Sequence, residues 1–158
     1  MTAGFSRPVQ LAAGEGIEGF HCGVEIVDEW AVRHAATARA RGTAVVYVSR
    51  CAGRVAGFYT LSTHSVVRSD IGGGWLARNA PSQVPAVLLG MLGVDDDFKG
   101  MGLGAALLRD AIINASKVAA IAGARALVAD PAGDTAAAFY ARFGFNPIGD
   151  SGRMAIRL

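Results

Sequence analysis

Seven consecutive residues, Lys99-Gly100-Met101-Gly102-Leu103-Gly104-Ala105, have the composition of a loop that receives a phosphate. Glycines at alternate positions let backbone N–H groups approach a ligand with no side chain in the way. The run that follows, Ala-Leu-Leu-Arg-Asp-Ala-Ile-Ile, reads as a helix, so its free N–H groups and its dipole would aim at the same point. Just ahead stand Asp95, Asp96 and Asp97. Consecutive carboxylates in a turn diverge, and no His or Cys accompanies them, so no metal is expected there. A solvated turn with some capping role is the expectation. His64, His21 and His34 are scattered; of the three, His64 after the second long strand is the candidate general base, and a lone histidine is more often structural.

The elements that must hold this loop follow from composition and periodicity. A chain of 158 residues, 52% hydrophobic and only 18% charged, can bury its own core, and one domain over 1–158 is expected. No apolar run approaches the length of a bilayer span and the N-terminus has no apolar signal region, so a cytoplasmic protein with no membrane partner is expected. Cys22 and Cys51 lack metal-site spacing and read as small apolar residues. A formal charge of +2 permits an anionic partner without demanding one.

Met1 to Gly23 reads as irregular. Asp28 and Glu29 precede Trp30 and an Ala-rich segment ending in Arg39, Arg41 and Gly42, which predicts a helix with a glycine stop. Thr43–Ser49 and Val55–Ser62, the latter extendable through Val66 and Val67, form a predicted hairpin across a turn at Cys51–Arg54. Ser69–Ser82 is a glycine-rich loop whose Ile71, Trp75 and Leu76 must pack or meet a partner. Pro85 opens a strand, Ala86–Val94, apolar on both faces. The helix after Gly102 reaches Ala122, with Gly123 as its stop. Ala126–Asp130 is a buried strand, Asp134 or Thr135 caps a helix through Arg142, and Arg153–Leu158 alternates as a last strand. The order gives an α/β sheet of mixed direction with one crossover around the glycine loop.

Three phosphate-binding patterns compete for that loop. A Walker loop needs Lys and then Ser or Thr after its last glycine; Ala105 and Ala106 exclude it. Gly100, Gly102 and Ala105 fit the dinucleotide fingerprint loosely, but too little chain remains for such a fold, and the strands before the loop read as a hairpin. A glycine-rich connection with no ligand is the plain alternative.

The third pattern fits best. Lys99-Gly100-Met101-Gly102-Leu103-Gly104 resembles the [Arg/Gln]-x-x-Gly-x-[Gly/Ala] motif with which the GNAT family of N-acetyltransferases binds the pyrophosphate of acetyl-CoA. Val27–Trp30, Gly57–Leu61, Pro85–Gly90 and Ala138–Phe145 extend the resemblance over most of the chain. Together they are similar to the acetyltransferase toxins of bacterial toxin–antitoxin pairs, which acetylate the amino acid on charged tRNA. Two positions depart from the pattern. Lys99 stands where Arg or Gln is usual, and Met91 stands where that branch often has Arg.

The resemblance implies a mixed, mostly antiparallel sheet with helices on both faces and a central β-loop-α site for acetyl-CoA. Residues 99–105 (Lys99, Gly100, Met101, Gly102, Leu103, Gly104 and Ala105) would hold the pyrophosphate. The strand at Leu92, Gly93 and Val94 would pair with the pantetheine arm, with a bulge or splay near Gly90 and Gly93. Tyr140 would protonate the coenzyme A thiolate, a fitting task for a group of pKa about 10. Arg33 and Arg78 are candidate RNA contacts, with Arg39 and Arg41 behind them. The implied partners are aminoacyl-tRNA, a ribbon-helix-helix antitoxin and a second copy in a homodimer. A small-molecule or protein N-terminal acetyltransferase, or a non-catalytic acetyl-CoA-binding module, are the alternatives.

Overall fold

The computed structural model describes residues Gly4–Leu158. Ten elements follow one another: β1 (Val9–Gln10), α1 (Glu25–Arg33), β2 (Val45–Cys51), β3 (Arg54–Val67), β4 (Gln83–Val94), α2 (Leu103–Ala122), β5 (Ala126–Ala129), α3 (Asp134–Arg142), β6 (Asn146–Pro147) and β7 (Met154–Arg157). The strands form one seven-stranded sheet in the order β1-β2-β3-β4-β5-β7-β6. β4 and β5 run parallel, while β1–β2, β2–β3, β5–β7 and β6–β7 are antiparallel, so the sheet is mixed and mostly antiparallel as expected. The chain divides into two compact units: the residues up to Ser62 with Gly90–Ala111, and Thr63–Leu89 with Ile112–Leu158.

In the first unit the β2–β3 hairpin turns on Ala52 and Gly53, both at positive φ, which matches the right-handed twist of the flanking strands. β3 buries a different partner on each face. Phe58 meets Phe20 edge-on at 5.1 Å and stacks on Trp30 of α1 at 6.1 Å. Its neighbour Gly57 turns the other way, where an added Cβ would lie 2.8 Å from Leu107 of α2. Gly93 on β4 faces the α1 side, where a Cβ would lie 2.9 Å from Val27 and 3.2 Å from Phe20. Both glycines are there because neighbours come this close.

α1 is shorter than the sequence suggested. It begins at Glu25 and ends at Arg33, and His34 to Gly42 continue as irregular turns rather than as helix. Ala35 and Ala38 are buried, and Thr43 Oγ1 donates to the Ala38 carbonyl at 3.2 Å. Packing and this bond override the helix propensity of the alanines. The sequence also missed β1 and β6, two residues each.

In the second unit the parallel ladder joins Ala86–Leu89 of β4 to Ala126–Ala129 of β5. All four residues of β5 are fully buried, which explains their unbroken apolar run. One sheet face, bearing Val84, Ala86, Ala126, Val128 and Ala155, is covered by the loop after β3 through Ile71, Leu76, Ala77 and Ala80. Arg125 pins that loop by donating to the carbonyls of Arg78 (2.6 Å) and Leu76 (3.3 Å). At α3 the N-cap is Gly133, with no side-chain cap bond, so neither Asp134 nor Thr135 caps it. α2 closes at Ala122 with Gly123 at φ +84°, as expected.

Candidate active site

The glycine loop lies in the first unit between β4 and α2. β4 runs on through Gly90–Val94 after its ladder with β5 has ended at Leu89 and Ala129. Leu92, Gly93 and Val94 are therefore strand backbone without β5 as a partner. Gly90 makes room for Thr60, whose Oγ1 accepts the Met91 N–H at 2.9 Å; a Cβ on Gly90 would stand 2.8 Å from that oxygen. Its absence of side chain thus serves a side-chain–backbone bond.

Gly100 and Gly102 take φ of +77° and +83°, and a Cβ at Gly100 would meet nothing within 4 Å. The first helical bond of α2 runs from Ala106 N–H to Gly102 O at 3.2 Å, so the N–H groups of Leu103, Gly104 and Ala105 have no acceptor inside the helix. Met101 is half exposed and Leu103 is buried, which anchors the loop to the core beneath. Open space, free N–H groups and the helix dipole coincide. Such a geometry suits an anion.

Asp96 and Asp97 are exposed and the acidic turn is capped, as expected, but Asp95 is not solvated. Asp95 is buried and accepts N–H groups from His21 (3.0 Å) and Asp97 (3.0 Å), because it caps the short 3-10 turn Asp96–Phe98 and ties it to the segment before α1. Arg54 reaches Asp97 at 3.0 Å and Asp95 at 3.5 Å. Lys99, expected among the residues that hold the pyrophosphate, pairs with Asp96 at 2.7 Å and donates to the Cys22 carbonyl. The Asp96 bond raises the Lys99 ammonium above its ordinary pKa. Burial works against the charge of Asp28, yet N–H donors from Cys22 and Gly23 outweigh it and hold that carboxyl below its usual range. Sequence reasoning missed His21, Asp28 and Asp96 as partners here. The three-residue spacing of Asp96 and Lys99 was a readable signal; His21, 75 residues from Asp96, had none.

Tyr140 lies on α3 in the second unit, 8% exposed, with Phe139 and Phe145 rings at 5.5 and 5.2 Å. Burial alone pushes its phenol up to about 12. With its pKa raised this far the group is protonated at neutral pH. His64 is half-buried beside a cavity of about 250 Å³ that Asp70, Ser151 and Arg153 also line. Its Nε2 has no partner among the described residues, and burial followed by the Arg153 charge lowers its pKa. Arg33 is exposed on α1 and pairs with Glu29 at 3.0 Å. Arg78 is exposed in the loop of the second unit. No cluster of three metal-ligating side chains occurs among the described residues.

A β-strand that outruns its neighbour, followed by a glycine loop at a helix N-terminus, is an arrangement suited to a phosphate-bearing ligand. The acetyltransferase (GNAT) domain matches residues 42–147. A tRNA-acetylating toxin of Mycobacterium tuberculosis is 36% identical over 143 residues, which cover 90% of this chain and 86% of the relative. The chain belongs to the GNAT acetyltransferase family. It is an N-acetyltransferase with acetyl-CoA as donor. The same fold occurs in a tyrosine-to-phenylalanine mutant of KacT (TM-score 0.88, 22% identity, covering 97% of this chain and 94% of that one). It occurs also in AtaT complexed with acetyl-methionyl-tRNAfMet (TM-score 0.84, 22% identity, 97% and 94% covered). An AtaT mutant bound to the C-terminus of the antitoxin AtaR gives a TM-score of 0.81 at 21% identity, covering 97% and 91%.

Proposed function

We propose that this acetyltransferase modifies the α-amine of the amino acid on charged tRNA, and so acts as a translation-blocking toxin silenced by a partner antitoxin. The observation that carries this reading is the 36% identity to a tRNA-acetylating toxin across nine-tenths of the chain.

The residues have roles that suit it. The N–H groups of residues 99–105 receive the pyrophosphate, and the backbone of Leu92, Gly93 and Val94 pairs with the pantetheine amides. The neutral amine attacks the thioester carbonyl, the new N–C bond forms as the C–S bond breaks, and Tyr140 gives its proton to the leaving sulfur. The proton shed by the amine returns to the phenol through solvent. No strong base is needed, because an α-amine of pKa about 7.7–8.0 is partly neutral already, whereas a lysine near about 10.4 is not.

Arg33 and Arg78 are the proposed RNA contacts. Arg33 shares its charge with Glu29, so Arg78 contributes more. The antitoxin is proposed to be a ribbon-helix-helix protein and the enzyme a homodimer. Both would work in the cytoplasm, where charged tRNA is found. No helix among the described residues is long and apolar enough to cross a membrane.

The test is transfer of labelled acetyl groups to charged tRNA. Label that leaves with the amino acid on mild alkaline hydrolysis of the ester supports the proposal. Label found on peptides or polyamines and never on aminoacyl-tRNA refutes it.

A further inference from the structure

Lys99 stands at the mouth of the glycine loop, yet a carboxylate already occupies its ammonium. Asp96 Oδ1 lies 2.7 Å from Nζ, and the Cys22 carbonyl accepts from the same nitrogen. The second oxygen of Asp96 takes His21 Nδ1 at 2.6 Å, and the Asp96 N–H returns to the His21 carbonyl at 2.8 Å. One carboxylate is thus shared by a lysine and a histidine. The three side chains are 48% to 70% exposed, so an arriving ligand can reach them.

Asp96 brings to Lys99 the same kind of charge that a phosphate would bring. We propose that Asp96 is a positioning residue that holds Lys99 away from the donor's pyrophosphate, and that His21 sets the strength of the hold. A protonated His21 shares the carboxylate and loosens its grip on Lys99. A neutral His21 leaves Asp96 to Lys99 alone and removes one positive charge from beside the anion site. This inference rests on the reading of residues 99–105 as the pyrophosphate loop.

The surroundings fix the sign. His21 faces Asp96, then Asp28, whose Oδ2 lies 3.7 Å from Nε2, and Asp95, which accepts the His21 N–H. Arg54 offsets Asp95 and Asp97. The Cys22 thiol is pushed up to about 11 by burial and stays neutral. The Asp96 bond first, and the Asp28 charge second, raise the His21 pKa above 6.5. Protonated His21 therefore persists to higher pH than usual, and donor affinity falls as pH rises through that raised value.

The experiment measures dissociation constants for dephospho-coenzyme A, which has the pyrophosphate but no titrating 3′-phosphate, and for pantetheine, which has neither. Wild type, Asp96→Asn and His21→Gln are compared at pH 6 and pH 9 in low salt. Wild type should bind dephospho-coenzyme A about two- to fivefold more weakly at the higher pH, the size usual for exposed charge pairs. Asp96→Asn should recover that loss and flatten the profile. His21→Gln should be flat at the weaker level, and keeps the test decisive if Asp96→Asn folds poorly. A wild-type profile that is already flat, unchanged or weaker binding in a folded Asp96→Asn, or a His21→Gln profile that still falls with pH, would overturn the inference. Pantetheine bound as tightly as dephospho-coenzyme A by wild type would instead overturn the pyrophosphate reading of the loop itself.

Discussion

Tyr59 has no exposed surface, gives its hydroxyl proton to Asp110 Oδ2 at 2.6 Å, and stacks on Tyr47 with ring centroids 4.8 Å apart. The bond fastens β3 to the helix that carries the glycine loop at its head. A hydrogen bond to a carboxylate is worth about 1.5–3 kcal/mol. Tyr59→Phe keeps the ring and the stack and removes the hydroxyl that makes this bond. Urea denaturation should show a loss of about that size at unchanged slope.

Gly57 is the other point where β3 meets α2. An alanine Cβ there would stand 2.8 Å from Leu107 Cδ1 and 3.0 Å from the Gly93 carbonyl oxygen. The leucine tip can move, but the backbone oxygen cannot without shifting β4. Overpacking of this kind costs about 1–3 kcal/mol. Gly57→Ala should lower the melting temperature and also weaken acetyl-CoA binding, because β4 and the loop move together.

Tyr140→Phe tests the proposed proton donor. A positioned general acid contributes about 10²–10⁴-fold, so turnover should fall in that range while acetyl-CoA binding persists. The pH profile makes a second check. A phenol acts as an acid only while protonated, and burial pushes this one up to about 12. The wild-type rate should show no alkaline decline from Tyr140 below about pH 10, the value at which an ordinary tyrosine begins to ionise. A decline centred nearer neutrality that disappears in Tyr140→Phe would count against the assignment.

Cys22 should be inert towards alkylation. Its thiol is 4% exposed and burial pushes it up to about 11, so the thiolate is scarce at pH 8. Iodoacetamide at that pH should leave Cys22 unmodified in the native protein and label it only after denaturation, as peptide mass analysis can show.

Much of the donor half was legible because its signals are local. Alternate glycines, the apolar strand ahead of them, the helical period behind and the Gly123 stop each act over a few residues, and all appear where expected. Tyr140 was legible as a residue on the last helix, but its burial and raised pKa depend on Phe139 and Phe145 packing around it. The two-residue strands β1 and β6 were not legible. A segment that short has no period of its own and is a strand only because β2 or β7 lies beside it.

The sequence by itself determined the family, the order of the main elements and the place of the glycine loop, since these rest on residue types at short spacings. Tertiary structure alone decided what surrounds them. α1 stops at Arg33 because Ala35 and Ala38 are buried in turns, against their own helix propensity. Asp95 became a buried cap, and Asp96 took the charge of Lys99 while reaching His21 across the chain. Hydrogen bonds and charge pairs depend on distance in space, and residues 75 apart leave no trace of their closeness in the order of the letters.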